Sequence, residues 1–493
     1  MEHNNSVDKN FSDPEVKEEI HNDKIEQQPL LTPVKHHDDE ENIGYPTLDK
    51  IINKLGYTNY HVLLIIGCCS FYFSEGGQLY AFNLLMPVFD SLLKLNTINH
   101  VIMNSICYFG FAIGSFFVGI LTKNFNRKLP LLVFLSIYAL FSVLIVFYQN
   151  FIWIVICRFI IGFCIGIISS LYLSDMSEFL PINNRGLAIG IVLCSYVLGI
   201  IFYVYSFKLI MPKYDNFDKW RIILLVISVP CIFATMFGFF IIRDSPRLLL
   251  NKDSYDTAII ELKILTLNSD VKITEEDEEN LRKEIVHSQL KNIQFSFTML
   301  FSKKFYFLTT INLLLLFTTS CIYVSNFFSL PLILYKETKQ HSSIFFEIII
   351  AQSFSIPAIV LASLISGYSS LGRKYTIAIG FVFCFAVSLF TSIFQFGLIE
   401  CCSIINFFIM SSYFLSKVYL IESFPSKLRD HGMSVIFVCA RLGEAFSPSI
   451  CELMFRWYNF GPYVYVCFLS LIGTIASLLI PFETSGIALD SKI

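Results

Sequence analysis

The sequence predicts an all-α membrane protein with twelve transmembrane helices in two six-helix bundles. Three observations support this fold class: the composition is apolar, long uncharged runs recur along the chain, and two short motifs occur twice at nearly the same spacing. Of the 493 residues, 55% are hydrophobic and only 15% are charged, whereas soluble proteins carry roughly 25% charged residues. A chain this poor in charge is expected to lie in a membrane.

The apolar runs define the expected helices. A membrane span needs about 20 apolar residues. Because lipid offers the backbone no hydrogen-bond partner, each run is expected to be a helix. Six runs precede a polar insert and six follow it. The expected spans are 61–86, 100–121, 130–148, 151–175, 187–210, 221–242, 305–334, 344–367, 375–396, 398–420, 433–455 and 461–481.

The domain organisation follows from these runs. Residues 1–44 are polar and acidic and predict a disordered cytosolic tail. A first six-helix bundle is expected over 45–242 and a second over 305–482. The insert 243–304 predicts a cytosolic linker with short helices, and 483–493 a cytosolic tail. An even number of helices and repeated basic turns favour both termini in the cytosol.

Two features stand out before the first span. Glu26, Leu30 and Leu31 form an E-x-x-x-L-L stretch, which resembles the acidic dileucine signal that sorting adaptors bind; a chance leucine pair in a tail is the alternative. Residues 45–60 then place apolar side chains at helical spacing. That pattern predicts a short amphipathic helix on the membrane surface.

The motif E-x-x-P-x-x-x-R occurs twice, each time where an apolar run stops. It runs from Glu178 to Arg185 and again, 244 positions later, from Glu422 to Arg429. Proline halts a helix, so each copy is expected to end a span with its Glu facing its own Arg across the turn.

A basic turn is repeated as well. Asn126-Arg127-Lys128 and Gly372-Arg373-Lys374 lie 246 positions apart. Landmarks that recur at nearly one spacing indicate a duplicated unit of about half the chain. Chance helix terminators are the alternative.

Six plus six helices with a basic turn after the second and the eighth resemble the major facilitator superfamily. Further motifs are similar to those of the branch that holds sugar porters, organic-ion transporters and synaptic-vesicle-glycoprotein-like carriers. In family order they are R-x-x-x-G-x-x-x-G from Arg158, W-R at Trp220, D-S-P-R ending at Arg247, R-x-G-x-x-x-x-P from Arg441 and P-x-E-T-x-G from Pro481. The resemblance implies gating or structural roles for ten residues: Arg127, Lys128, Arg158, Glu178, Arg185, Arg247, Arg373, Lys374, Glu422 and Arg429.

Ionisable residues inside spans cost about 2.5–3.5 kcal/mol each on insertion scales, so each is a functional candidate. Glu75 lies in the middle of the first span, before Gly76 and Gly77, which would let the helix bend and a ligand approach. Gln78 follows at i+3 on the same helix face. Burial favours the neutral carboxyl group, as proton coupling requires. Glu75 is therefore predicted to bind a proton or substrate; a structural acid paired with a neighbour is the alternative.

Arg441 and Glu444 lie at i and i+3 in the eleventh span. In organic-ion carriers this motif tends to begin with Arg in the anion group. The resemblance thus points to a carboxylate substrate, which the planar guanidinium can bind with two hydrogen bonds. An Arg–Glu pair that only locks the helix is the alternative.

Other polar residues of the spans could line a cavity, although each alone is more often an interhelical hydrogen bond. They are Tyr323, Asn326, Gln352, Asn406 and Tyr413. Lys417 is expected to extend its ammonium group to the cytosolic membrane surface.

These residues and the resemblance imply a secondary active transporter that works by alternating access. The favoured substrate is a small polar organic anion, such as pantothenate or another vitamin-like carboxylate, coupled to H⁺ through Glu75. A sugar transporter is one alternative, and a non-transporting vesicle or trafficking protein of the same fold is another. We expect a monomer in the plasma membrane or an endosomal or secretory vesicle membrane, with lipid, a small solute and a sorting adaptor as partners.

No enzyme, cofactor or metal site is predicted. The 14 cysteines lie in apolar runs without metal-ligand spacing to His. The sequence contains neither a Walker loop nor H-E-x-x-H. The net charge of −3 says little about partners, but the lack of a basic cluster argues against nucleic-acid binding. H⁺ is the expected coupling ion.

Overall fold

The structure is a computed structural model that describes residues 47–181, 185–212, 219–251, 254–266, 274–290, 297–303, 305–337, 341–365, 372–424 and 426–483. The predicted tail and the sorting stretch of Glu26, Leu30 and Leu31 lie outside these residues. Within them, eleven helices are long and apolar enough to cross a membrane, and Lys128–Leu144 is a shorter apolar helix. The predicted all-α, twelve-span fold class is confirmed.

The first half of the chain holds a short helix and six spans. Their bounds are α1 Thr47–Leu55, α2 Asn59–Leu93, α3 Thr97–Asn124, α4 Lys128–Leu144, α5 Phe151–Phe179, α6 Arg185–Ile210 and α7 Trp220–Ile241. The largest difference from expectation is in α2, which continues through Pro87 for two further turns.

Short helices connect the halves, and the second half holds the remaining spans. Their bounds are α8 Pro246–Asn251, α9 Tyr255–Thr266, α10 Glu275–Leu290, a 3₁₀ turn Phe297–Phe301, α11 Tyr306–Glu337, α12 His341–Ser353, α13 Ser355–Ile365, α14 Gly372–Phe394, α15 Leu398–Ser423, α16 Ser426–Trp457 and α17 Gly461–Leu478.

One expected span is broken in two. The run predicted as a single helix over 344–367 forms α12 and α13, with a turn at Phe354. Pro357 lies four residues after Ser353 and has no amide hydrogen for its carbonyl, so the helical ladder loses one bond at this point. The break lies where the proline removes this bond, although α2 continues through Pro87 without a break.

The apolar face of α1 is covered by another part of the protein. Leu48, Ile51, Ile52 and Leu55 are all buried, and α1 packs against α10, whose Leu281 is also buried. Amphipathic spacing identifies an apolar face but not the surface that covers it; here protein covers it, and the location of α1 at the membrane surface stays a prediction.

Two pairs of spans join the halves. The helix α3 packs along α16, and α6 packs against α12 and α13. Ser105 Oγ on α3 donates a hydrogen bond to the Ala445 carbonyl on α16 at 2.7 Å. Nearer the basic turns, the Gly119 amide donates to Ser434 Oγ at 3.1 Å. These contacts leave a space between the halves, flanked by α2, α11, α15 and α16.

The other end of α3 carries a charged contact. His100 Nε2 lies 3.4 Å from Asp90 Oδ2 on α2, and His100 Nδ1 lies 3.4 Å from Glu452 Oε2 on α16. Glu452 also accepts a hydrogen bond from Arg456 at 2.8 Å. The histidine thus links a carboxylate of each half.

Candidate functional site

A narrow cavity lies between the two halves. Four ionisable side chains line it: Glu75 from α2, Lys417 from α15, and Arg441 and Glu444 from α16. The cavity is small, because the centres of water-sized spheres can occupy only about 20 Å³ of it. The rest of the lining is aromatic or aliphatic and consists of Tyr72, Leu79, Tyr108, Leu193, Tyr196, Tyr323, Val324, Phe327 and Tyr413.

Glu75 is the acid of this cavity that no hydrogen-bond donor holds. Its side chain is 3% exposed, and Oε2 is buried without a hydrogen-bond partner. No described residue donates a hydrogen bond to either of its oxygens. A carboxylate in this position is free to meet a proton or a cationic group that enters the cavity.

Arg441 and Glu444 form an ion pair on one face of α16. Arg441 Nη1 lies 2.6 Å from both carboxylate oxygens of Glu444. Arg441 Nη2 donates to the Tyr413 hydroxyl at 3.2 Å, and the guanidinium stacks on the Phe111 ring at 3.9 Å. Both Nη groups of Arg441 are therefore engaged within the protein, whereas Nε is buried without a described partner.

Lys417 lies in the cavity and not at the membrane surface. It is 4% exposed and lines the cavity, with Nζ 4.2 Å from the centre of the Tyr413 ring. It forms no hydrogen bond or ion pair with the described part of the chain. The expectation that Lys417 extends to the membrane surface was wrong, because α15 continues to Ser423 and keeps this position away from the helix end.

Tyrosines form much of the remaining wall. The rings of Tyr323 and Tyr413 stack at 6.3 Å between centroids with an interplanar angle of 15°, and Tyr196 lies 6.4 Å from Tyr323. The Tyr72 hydroxyl donates to the Ser169 carbonyl at 3.1 Å. Such a wall offers flat apolar surface and hydroxyl edges to a small solute.

Tyr323 and Tyr413 line the cavity as predicted, but four other predicted polar residues do not. Gln78 donates from Nε2 to Ser142 Oγ at 3.0 Å inside the first bundle. It lies about 60° around the helix from Glu75, which directs it away from the cavity. Asn326, Asn406 and Gln352 do not line the cavity either.

The two asparagines connect helices of the second bundle. Asn326 Nδ2 donates to Asn406 Oδ1 at 2.8 Å, and Asn406 Nδ2 donates to the Ala351 carbonyl at 3.0 Å. These two hydrogen bonds connect α15 to α11 and to α12. Gln352 is buried beside the break at Phe354, and neither polar atom of its amide has a described partner.

The glycines after Glu75 serve helix packing. A Cβ at Gly76 would lie 2.2 Å from the Tyr196 carbonyl oxygen, and one at Gly77 would lie 1.6 Å from the Tyr203 ring. Both neighbours belong to α6, and α2 runs unbroken through this point. The expectation of a bend that admits a ligand was wrong, because α6 fills the space.

Arg158 lies inside the first bundle. Its Nη1 donates to the Gln78 carbonyl at 2.9 Å, and its guanidinium stacks on Phe82 at 3.9 Å. On the same helix, the hydrogen side chains of Gly162 and Gly166 bring α5 against the backbone of α3. Arg158 therefore holds α5 to α2 and does not line the cavity.

In the first bundle, the basic turn contacts the E-x-x-P-x-x-x-R motif. Arg127 donates from Nη1 to Asp175 at 3.1 Å and from Nη2 to Glu178 at 2.8 Å. The second oxygen of Glu178 accepts from Ser245 Oγ at 2.5 Å. Glu178 thus faces the basic turn. The side chain of Arg185 lies outside the described residues, so the expected contact within the motif stays a prediction.

The second bundle repeats this arrangement. Arg373 pairs with Glu422, and the Lys374 amide donates to Glu483 at 3.1 Å. The corresponding contact in the first bundle is the Lys128 amide with Asp244, at 3.4 Å. Arg247 is buried in the first turn of α8, and the side chain of Arg429 lies outside the described residues.

The two basic turns differ in one acid. Asp175 has no acidic counterpart, because the residue 244 positions later is Tyr419. Arg127 therefore holds two buried carboxylates. Asp175 and the cavity residues Tyr72, Tyr108 and Tyr196 were not among the predicted site residues, and Lys417 was expected at the membrane surface. The rule that an ionisable group in a span marks function would have found Asp175 and Lys417; no pattern signal distinguished the tyrosines from packing residues.

Two six-helix bundles that enclose buried charges between them define a secondary transporter. The chain belongs to the family described as "Sugar (and other) transporter", which it matches over residues 49–491. The resemblance to the major facilitator superfamily is thereby confirmed. This is a family of transporters, not of enzymes.

Several characterised proteins are similar to the chain. The organic cation/carnitine transporter 2 of Mus musculus is 26% identical over 397 residues, which cover 79% of this chain and 67% of that protein. The niacin transporter NiaP of Acinetobacter baylyi is 24% identical over 404 residues, or 78% and 86% of the two chains. Synaptic vesicle glycoprotein 2C of Mus musculus is 25% identical over 236 residues, or 46% of this chain and 32% of that protein.

A solved structure shares the fold. The proton:xylose symporter XylE bound to 6-bromo-6-deoxy-D-glucose superimposes with a TM-score of 0.73 at 16% sequence identity. The match covers 88% of this chain and 98% of XylE.

Proposed function

We propose that the protein transports small organic monocarboxylates together with a proton, and that Glu75 binds the proton. The observation that carries the proposal is the set of charges in the cavity. Two cations, Lys417 and Arg441, and two acids, Glu75 and Glu444, line one space. With both acids ionised the four charges sum to zero.

Protonation of Glu75 changes that balance. Because Glu444 remains engaged by Arg441, a neutral Glu75 leaves the cavity with one uncompensated positive charge. A monocarboxylate supplies the missing negative charge. Buried charges are costly unless they are paired, so binding of the proton and binding of the anion favour each other.

The named relatives support a carboxylate substrate. Niacin and carnitine each carry one carboxylate, and these compounds appear in the names of two of the relatives. The tyrosine wall suits a compact solute with an apolar or planar part. Pantothenate and nicotinate are both of this kind.

Uptake into liposomes that contain the purified protein tests the proposal. We expect radiolabelled nicotinate or pantothenate to accumulate when the outside is acidic. At one proton per anion, the limit is about tenfold for each pH unit, since one unit corresponds to 1.36 kcal/mol. Glu75→Gln should abolish accumulation driven by the pH gradient while exchange of labelled for unlabelled substrate continues.

The matched control is Glu347→Gln. Glu347 is also an acid within a span, on α12, but it does not line the cavity. It should leave proton-driven uptake intact. Accumulation by Glu75→Gln that still follows the pH gradient would refute the role of Glu75.

An organic cation is the second candidate substrate, because Glu75 has no hydrogen-bonded partner. Uptake of tetraethylammonium that exceeds uptake of either acid would favour it. Uptake of xylose would favour the sugar alternative. A folded protein that moves none of these solutes would favour the trafficking role.

A further inference from the structure

We propose that Lys417, and not Arg441, contacts the carboxylate of the substrate. This assignment rests on the proposed function and specifies which cation of the cavity carries the anion specificity. It differs from the expectation drawn from the sequence, in which Arg441 was the anion-binding group.

The availability of donors distinguishes the two cations. Arg441 directs Nη1 at Glu444 and Nη2 at the Tyr413 hydroxyl, and its flat face rests on Phe111. Nε has no described partner and can donate only one hydrogen bond, so a substrate that gained a second one from Nη1 would have to displace Glu444. That exchange would leave the Glu444 carboxylate buried without its partner, which is strongly unfavourable.

Lys417 has the opposite environment. Its ammonium group rests on the Tyr413 ring, and none of its three N–H donors is used by the described part of the chain. A buried ammonium needs a counter-charge within hydrogen-bond distance. Once Glu75 is protonated and Glu444 is held by Arg441, the cavity lining offers Lys417 no ionised carboxylate, so the substrate supplies it.

Tyr413 couples the two cations. Its ring lies under Lys417 Nζ at 4.2 Å, and its hydroxyl accepts from Arg441 Nη2 at 3.2 Å. The Arg441–Glu444 pair therefore fixes the ring on which Lys417 rests. In this arrangement the ion pair positions the tyrosine, and Lys417 binds the anion.

Equilibrium binding of matched acids and neutral analogues tests the assignment. The probes are nicotinate against nicotinamide, and pantothenate against pantothenol, measured on the purified full-length protein. Wild-type protein should prefer each acid. Lys417→Met should weaken acid binding at least tenfold and leave binding of the neutral analogue within about twofold, since one charge-assisted hydrogen bond is lost. Lys417→Arg, which keeps the charge, should retain the preference.

Two further variants make the result decisive. Lys208→Met removes a lysine that lies near Phe346 and outside the cavity, and it should bind like wild type. Glu75→Gln/Lys417→Met removes one charge of each sign, so it keeps the balance of the cavity if the single variant does not fold. This double variant should also fail to prefer the acids.

The outcomes separate this assignment from the proposed function. Wild-type protein that prefers neither acid would refute the carboxylate function itself. If wild type prefers the acids and Lys417→Met keeps that preference, only the role of Lys417 is refuted. Equal loss of acid and neutral analogue in Lys417→Met would assign Lys417 to packing and would overturn the proposal as well.

Discussion

Replacement of Arg127 by Gln should destabilise the protein more than any single replacement in the second basic turn. Arg127 is 1% exposed and contacts Asp175 at 3.1 Å and Glu178 at 2.8 Å, and both acids are nearly as buried. Removing the cation of a buried ion pair costs about 3–5 kcal/mol, because the remaining charge loses its partner. Here two carboxylates would be left facing each other, so we expect the upper end of that range.

Thermal unfolding of purified variants measures this effect. Arg373→Gln is the matched control, because Arg373 occupies the same position in the second half and pairs with Glu422, while Tyr419 stands where the first half has Asp175. It should lower the unfolding temperature less than Arg127→Gln does. Neutralising the whole cluster with Asp175→Asn and Glu178→Gln should restore most of the loss, since no uncompensated charge remains.

The relative unfolding temperatures of these variants test whether buried charge causes the loss of stability. Equal effects of Arg127→Gln and Arg373→Gln would show that the second acid adds nothing to the first turn. A neutralised cluster that is no more stable than Arg127→Gln alone would show that the loss comes from packing and not from buried charge.

Three other substitutions have clear expected outcomes. Gly77→Ala should prevent normal folding, because the added Cβ would lie 1.6 Å from the Tyr203 ring; Gly67→Ala on the same helix, with its nearest contact at 3.6 Å, should be tolerated in fluorescence-detected size exclusion. Pro357→Ala restores a backbone donor at the break in the eighth span, and it should raise the unfolding temperature and slow substrate exchange; faster exchange would contradict this. His100→Gln removes the imidazole that contacts a carboxylate of each half, so it should increase alkylation of cysteines introduced at that end of α3. Unchanged alkylation would show that the contact does not hold the halves together.

Much of the fold could be predicted from the sequence because membrane helices leave a strong local signal. Charge-free runs of span length located the twelve spans, and the recurrence of Arg127 at Arg373 indicated the duplication. The structure places these two residues in matching ion pairs with Glu178 and Glu422. The break at Phe354 was missed, although Pro357 stands close to it in the sequence.

The site was harder to predict because helical spacing identifies a face but not its neighbours. Glu75 and Arg441 share a cavity, whereas Gln78 faces Ser142 inside one bundle. Lys417 was misplaced because an apolar run does not show where its helix ends. Which face of each helix meets the other half depends on contacts between residues hundreds of positions apart, as between Ser105 and Ala445.

The glycines beside Glu75 have a mechanical consequence. Gly76, Gly77 and Gly199 bring the backbones of α2 and α6 so close that neither helix can shift without the other. Since α6 is also the helix that packs against α12 and α13, the proposed proton-binding residue lies on a helix that is closely packed against one of the contacts between the halves. Under the proposed function, a displacement of Glu75 that accompanied its protonation would therefore move α6 as well and reach the opposite half of the molecule through α12 and α13.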